Sequence, residues 1–517
     1  MFIKNKAAPS IPRNFAFTAS SVSRFVRHAV TVSLIMMTGT TVAAPGALDT
    51  TFGAGSGKVI TAVGAGNDNA NAVAIQPDGK IVVAGGCIVG NTNDFCVARY
   101  NADGSLDTGF NGTGKVTTAI GTSEDTATSL VIQPDGKILV AGNCFNGSNQ
   151  DFCLARYTPA GALDTAFNMT GKVVTAVGID NDYITGIALL PDGRIVAAGN
   201  CFVTSAYDFC AARYTSAGVL DTSFGAGTGK VITPVGSGND VGNSMALQYD
   251  GKIVVAGYCA NGGNQDFCLI RYMTDGTLDT TFNFTGKLLA AIGANNDYGY
   301  RVVIQPDSKI VVAGFCYNAT ANAVCIARFN LDGTLDTTLN GTGKVITSVV
   351  GTNDGAATVV IQPDGKILTA GTCTNGSPNT DFCLVRHFND GSLDTQFGSG
   401  GKLVSAIGSG IDIGKAIALQ PEGKIVVVGY CANGSNNDFC LARYDGGTFY
   451  ATPSCSLDID GDGSVLATTD SLIHARIALG VTGAAVVSGI NFPSGAKRTT
   501  WPLIRDFLNT QCGMTLP

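Results

Sequence analysis

Short apolar runs separated by turn residues recur along most of the chain. In one stretch, residues 72–76 form a β-type apolar run that ends in the turn Pro77-Asp78-Gly79, and residues 80–85 form a second run rich in Val and Ile. A polar segment then leads to Phe95-Cys96-Val97-Ala98-Arg99-Tyr100, the turn Asn101-Ala102-Asp103-Gly104, and a last run over 115–120. Runs of this length bounded by Gly, Pro, Asn and Asp predict four short strands joined by hairpin turns. Alternation within the runs is poor, which predicts sheets covered on both faces.

The stretch is one copy of a repeat. Leu-Asp pairs place Asp49, Asp107, Asp164, Asp221, Asp279, Asp336 and Asp394 at spacings of 57 or 58 residues. A second mark, Pro-Asp-Gly or a near variant, keeps step at Asp78, Asp135, Asp192, Asp250, Asp307, Asp364 and Glu422. A four-stranded unit cannot bury its own faces, and a closed ring gives every copy two neighbours. The expected fold is therefore an all-β, seven-bladed propeller over 46–450. The first copy begins with a lone fourth strand near 58–62 and the last stops after its third strand at Tyr444. The N-terminal strand is thus expected to complete the seventh blade, leaving no open edge.

The recurring Gln-Pro-Asp-Gly-Lys-Ile, Cys-Leu-Ala-Arg-Tyr and Gly-Ser-Leu-Asp-Thr-x-Phe patterns resemble the delta-60 repeat family of bacterial β-propellers, from residue 46 to about 450. The resemblance implies the propeller fold and an extracellular setting. It implies no defined activity.

Charge and targeting signals narrow the setting. Residues 1–44 carry Lys4, Lys6, Arg13, Arg24 and Arg27 and no acid, followed by an apolar stretch over 29–37 and small residues up to Ala44. This is the pattern of a secretory signal, with a retained membrane anchor as the alternative. Beyond it, 27 basic residues face 39 acidic ones, a balance of −12. An acidic chain with no basic run argues against nucleic acid and anionic membrane surfaces as partners. An exported monomer is expected, free of the membrane once the signal is cleaved.

Fourteen of the sixteen cysteines form repeated pairs: Cys87 with Cys96, Cys144 with Cys153, Cys201 with Cys210, Cys259 with Cys268, Cys316 with Cys325, Cys373 with Cys383, and Cys431 with Cys440. Each pair brackets the segment between the second and third strands of its blade. In an exported chain these read as disulfides. Zinc would draw four ligands per site, and the only histidines are His28, His387 and His474.

Three further sets of residues invite chemistry. Asp68, Asp125, Asp182, Asp240, Asp297, Asp354 and Asp412 precede the first strands, where they either form an acidic ring at the channel mouth or cap turns through backbone N–H groups. Arg99, Arg156, Arg213, Arg271, Arg328, Arg386 and Arg443 recur with the blades and are expected to pair with the Leu-Asp carboxylates. Departures from the repeat, at Tyr249, Ser308, Ala323, Val324, Leu339, His387 and Glu422, are scattered and build no catalytic group. The first strands read as Ala, Val and Ile in nearly every copy, which disfavours a catalytic channel.

After Tyr450 the repeat ends. Asp458, Asp460 and Asp462 at alternate positions, followed by Gly463, form the opening half of a calcium loop, with Asp470 placed to close it. A helix capped by Thr468 or Thr469 is expected to run to Leu479. The run from 458 to 480 resembles half of a dockerin repeat with an insertion before the closing acid. No Asp-rich loop precedes the second expected helix, near 501–510, so one calcium is implied and cohesin-type partnering is not. Cys455 and Cys512 flank this module, 455–517, and are expected to join its ends.

The functional expectation is a secreted binding or scaffold protein. Its ligand, a protein or a glycan, would be met by the variable segments between the paired cysteines, since recognition concentrates on loops held by a rigid scaffold. The alternative is an extracellular polysaccharide-acting enzyme that uses the central channel.

Overall fold

A computed structural model describes residues 43–350, 353–374 and 379–447, and, further on, 459, 472–473, 476–477, 481, 483–492 and 499–511. The expected signal segment up to residue 42, the calcium-loop residues Asp458, Asp460, Asp462 and Asp470, and the pair Cys455 and Cys512 lie outside the described residues.

The first complete blade is an antiparallel meander of β2 (Asp68–Ile75), β3 (Ile81–Val89), β4 (Thr92–Tyr100) and β5 (Lys115–Thr118). The same unit follows as β6–β9 over 125–175, β10–β13 over 182–233, β14–β17 over 240–290, β18–β21 over 297–347 and β22–β25 over 354–405. The seventh blade has β26 (Asp412–Leu419), β27 (Lys424–Asn433) and β28 (Asn436–Asp445), and its outer strand is β1 (Lys58–Thr61) from the start of the chain. Lys58 lies opposite Ala442 and Thr61 opposite Phe439. The first strands of neighbouring blades abut in a closed ring, β26 against β2 included. These seven strands surround the channel.

The weak alternation of the second and third strands has its cause in this arrangement. Residues 81–87 and 94–100 are buried without a break, because alternate side chains enter the interfaces with the blades on either side. Phe95 and Val97 pack towards the next blade, against Cys144, Cys153 and Tyr157. Cys87, Cys96, Ala98 and Tyr100 face the preceding blade, where Phe439 and Leu441 meet them across the closure. Burial of one such Phe is worth about 2–3 kcal/mol.

Seven disulfides join the expected partners: Cys87 to Cys96, Cys144 to Cys153, Cys201 to Cys210, Cys259 to Cys268, Cys316 to Cys325, Cys373 to Cys383, and Cys431 to Cys440, with Cα–Cα distances of 5.7–5.9 Å. The register puts Cys87 opposite Asp94 and Cys96 opposite Gly85, so the bridge runs diagonally across the ladder. The later blades repeat the offset, with Cys210 opposite Gly199, Cys268 opposite Gly257, Cys325 opposite Gly314 and Cys383 opposite Gly371. The bracketed segments are loops in part: residues 146–149 and 318–321 connect their strands as expected, whereas in other blades the strands run further into the segment. In the first blade β3 continues to Val89 and β4 starts at Thr92, so most of the segment is hairpin, and the variable residues are held in register.

Every first strand carries a bulge, between Ala70 and Ala72 in the first blade. The bulge brings the strand so close to its neighbour that a Cβ on Gly85 would lie 1.9 Å from the Asn69 carbonyl oxygen. Only glycine fits there. In the Pro-Asp-Gly turn, Gly79 has φ 82° and donates its N–H to the Gln76 carbonyl at 2.9 Å.

Beyond the propeller the described residues include helical positions at 472–473 and 476–477, a short 3₁₀ turn over Gly483–Val486 and the helix α1 (Trp501–Gln511). Trp501, Ile504 and Leu508 share one face of α1 and cluster with Ile459, Ile473 and Val486. The helical positions 472–473 and 476–477 fall within the first expected helix and α1 matches the second, but the loop lies outside the described residues, so an EF-hand-like module is not shown.

Candidate functional site

The repeated charged residues are structural cement. Arg99 donates from Nε to Asp107 Oδ2 at 2.7 Å and from a terminal nitrogen to the Pro159 carbonyl of the next blade at 2.6 Å. Its guanidinium lies 4.7 Å from the centre of the Phe110 ring. The arginine–aspartate pair recurs in every blade, as expected from the sequence. In the seventh blade the acid and the ring are Asp49 and Phe52, from the other end of the propeller. In the fifth, Leu339 replaces the aromatic ring, and Arg328 adds to the shared main-chain bond, here to Asn389, a second bond to the Asn389 side-chain oxygen at 2.7 Å. His387 stands in a tyrosine position and its Nε2 lies 3.0 Å from Thr347 Oγ1. Burial lowers its pKa to about 4, so it packs as a neutral ring.

The seven acids at the heads of the first strands are buried. Asp68 Oδ2 accepts from the N–H groups of Val63 at 2.6 Å and Gly64 at 3.0 Å. The same cap recurs at Asp125, Asp182, Asp240, Asp297, Asp354 and Asp412. Of the two readings, the turn cap describes these carboxylates. Desolvation raises the pKa of Asp182 to about 6 despite the bonds from Val177 and Gly178, and Asp151 of the previous blade adds to the rise.

What breaks the symmetry lies at the bulges, where sequence reading had found only small apolar residues. In four blades the bulge side chain bonds to a carbonyl of the next first strand: Asn71 to Ala127 at 2.9 Å, Thr128 to Ile184 at 2.6 Å, Thr185 to Gly242 at 2.7 Å and Asn243 to Gly299 at 2.8 Å. The remaining three blades hold Tyr300, Ala357 and Lys415 instead. Across the seven first strands only Arg301 and Lys415 are exposed. Both stand at mid-height, where the channel is the only solvent available to an inner strand. Desolvation by the surrounding protein lowers the pKa of each.

An aromatic cluster leads from this side of the channel to the disulfide-bearing face. Tyr300 stacks on Phe315 with ring centres 5.6 Å apart, and Tyr298 lies 4.8 Å from both Phe315 and Tyr258 of the preceding blade. Phe315 finds room because the next blade has Gly355 where the others carry a side chain; a Cβ there would be 3.4 Å from the ring. Tyr298 and Phe315 line a groove of about 560 Å³ with Asn295, Asn296, Tyr317 and Asn322. A second aromatic group, Tyr183, Phe202 and Tyr207, stands on the third blade of the same face, with centres 5.3–5.9 Å apart.

The signal for this site was present in the sequence. Asp297-Tyr298-Gly299-Tyr300-Arg301 is the most divergent head of a first strand, and Lys415 is the only lysine within one. An arrangement of stacked rings and amides can bind a ring-shaped polar ligand by stacking and hydrogen bonding.

Among curated proteins none matches the chain. Solved structures similar to it include a catalytically inactive virginiamycin B lyase from Staphylococcus aureus with quinupristin, at 11% identity over 74% of this chain and 98% of that one, with a TM-score of 0.43. The polysaccharide lyase Uly1 gives 11% identity, coverage of 75% and 91%, and a TM-score of 0.38. Sqt1 from Chaetomium thermophilum gives 11%, coverage of 76% and 99%, and 0.39. The repeat itself matches a β-propeller family described as a domain of unknown function, DUF5122, at 76–110, 133–167, 190–224, 248–282, 305–339, 362–397 and 420–446. By those seven copies, one in each blade, the chain belongs to the DUF5122 β-propeller family, commonly called the delta-60 repeat family.

Proposed function

We propose that this protein is an exported, disulfide-stabilised binding protein that holds a glycan on the aromatic groove at the fourth and fifth blades. The observation that carries the reading is the placement of Tyr298 and Phe315 in a groove rimmed by Asn295, Asn296 and Asn322. Flat rings meet the apolar faces of sugars and carboxamides meet their hydroxyls. The hairpins beneath are fixed by disulfides and ladder pairing, so little ordering entropy is lost on binding. Seven disulfides suit an oxidising compartment. Among the described residues no helix is long and apolar enough to cross a membrane. The C-terminal module adds one calcium ion, held by Asp458, Asp460, Asp462 and Asp470, which stabilises it.

A glycan and protein array probed with the full chain tests this reading. Binding to a set of related glycans is expected. Binding to proteins alone would overturn it, and cleavage of the bound glycan on incubation would favour the enzymatic alternative.

A further inference from the structure

Two cations in the channel have no partner among the described residues. Arg301 and Lys415 form no ion pair and no side-chain hydrogen bond with any of them, and Lys415 has only the Tyr430 ring, 5.9 Å away. The repeat arginines follow the opposite rule, each paired with a carboxylate. Both exceptions are exposed where the inner strands border the channel, so an incoming anion can reach them. The inner strand between them, in the sixth blade, carries Gly355, Ala356 and Ala357, so no bulky side chain fills the space. From Arg301 the path to the groove is short: Tyr300 is its chain neighbour, Tyr300 stacks on Phe315, and Phe315 lines the groove.

We infer that Arg301 and Lys415 form an anion site in the channel that takes the carboxylate of a terminal acidic sugar, while the preceding sugar rings lie on Tyr298 and Phe315. A guanidinium offers a two-pronged fork to a carboxylate and an ammonium adds a point charge. The acid belongs at the end of the glycan for two reasons. The channel is walled by the ring of inner strands, and outside the signal segment 39 acids against 27 bases repel a long polyanion from the surface. The inference rests on the glycan reading above and deepens it.

The test is titration of the full chain with neutral oligosaccharides and with the same chains ending in a uronic acid. Wild type is expected to bind the acidic member of a pair at least about ten-fold more tightly, the scale of one charge-assisted contact. The double variant, Arg301→Met with Lys415→Met, is expected to lose that preference and keep the neutral affinity, whereas Tyr298→Ala weakens both members. Equal affinity for both members, or an acid preference that survives in the double variant, would each overturn the anion site and leave the glycan reading standing. Failure of wild type to bind any member would overturn both.

Discussion

Ring closure depends on residues far apart in the chain, which makes Asp49→Ala an informative perturbation. Asp49 Oδ2 lies 2.8 Å from Arg443 Nε, and both side chains are about 5% exposed. Removing one member of a buried pair leaves an uncompensated charge and costs about 3–5 kcal/mol. A ring of about 400 residues unfolds with an entropy near 0.8 kcal/mol/K, so the midpoint should fall by about 4–6 °C. Asp164→Ala breaks the equivalent pair with Arg156 inside the ring and should cost a similar amount. The two variants part in hydrogen exchange. Asp49→Ala should speed exchange in β1 and in its ladder partners 439–442, because Leu48, Asp49 and Phe52 anchor that strand. Asp164→Ala should leave β1 protected. Calorimetry with peptide-resolved exchange gives both readings. Unchanged protection of 58–61 in Asp49→Ala would refute the closure mechanism.

Non-reducing peptide mapping should recover the seven bridges at separations of nine or ten residues, and an eighth between Cys455 and Cys512. On chain entropy each nine-residue loop contributes roughly 2–3 kcal/mol, so full reduction should lower the melting temperature sharply. Two carboxylates, Asp182 and Asp279, should contribute opposite pH dependences. The raised pKa of Asp182, about 6, means that its folded form holds a proton more tightly, so its contribution falls as pH rises through 4 to 6. For Asp279 the order is reversed. Against the desolvation of burial, bonds from Thr281 and Lys252 and the charge of Arg271 hold it at about 2, so its contribution is lost as pH falls from 4 to 2. Asp182→Asn should remove about 3 kcal/mol of the decline above pH 4, seen as a flatter plot of denaturant midpoint against pH. Calcium titration should lose one site in Asp458→Ala, and unchanged binding would refute the C-terminal assignment.

Much of the fold was legible because each copy restates it. Spacings of 57 or 58 residues gave the blades, and the stray run near Lys58 gave the closure. The arginine–aspartate pair was legible too, since a charge repeated in every buried unit needs a repeated partner. The site was harder to see. Comparison with turn and cysteine landmarks picks out Tyr249 or Glu422, which lie on exposed turns, and passes over Tyr300, Arg301 and Lys415 inside strands. Tyr300 and Lys415 are the bulged residues of their strands and Arg301 directly follows a bulge, a backbone feature that landmarks in turns do not reveal. A bulge has no sequence signature apart from the glycine it crowds. The hairpins were legible only in part: in the first blade cross-strand pairing and a diagonal disulfide hold Asn93 and its neighbours as strand, while in the second Asn146, Ser148 and Asn149 form the loop their polarity suggests.

The central claim is that ligand is held on the disulfide-bearing face at the fourth and fifth blades. Isothermal titration of the tightest array glycan into wild type, Tyr298→Ala and Tyr249→Ala tests it most directly. Tyr249 is 74% exposed on a turn of the opposite face. Tyr298→Ala should lose at least about ten-fold in affinity, from base-plate stacking of one ring, and Tyr249→Ala should keep wild-type affinity. Full affinity in Tyr298→Ala, or an equal loss in Tyr249→Ala, would contradict it.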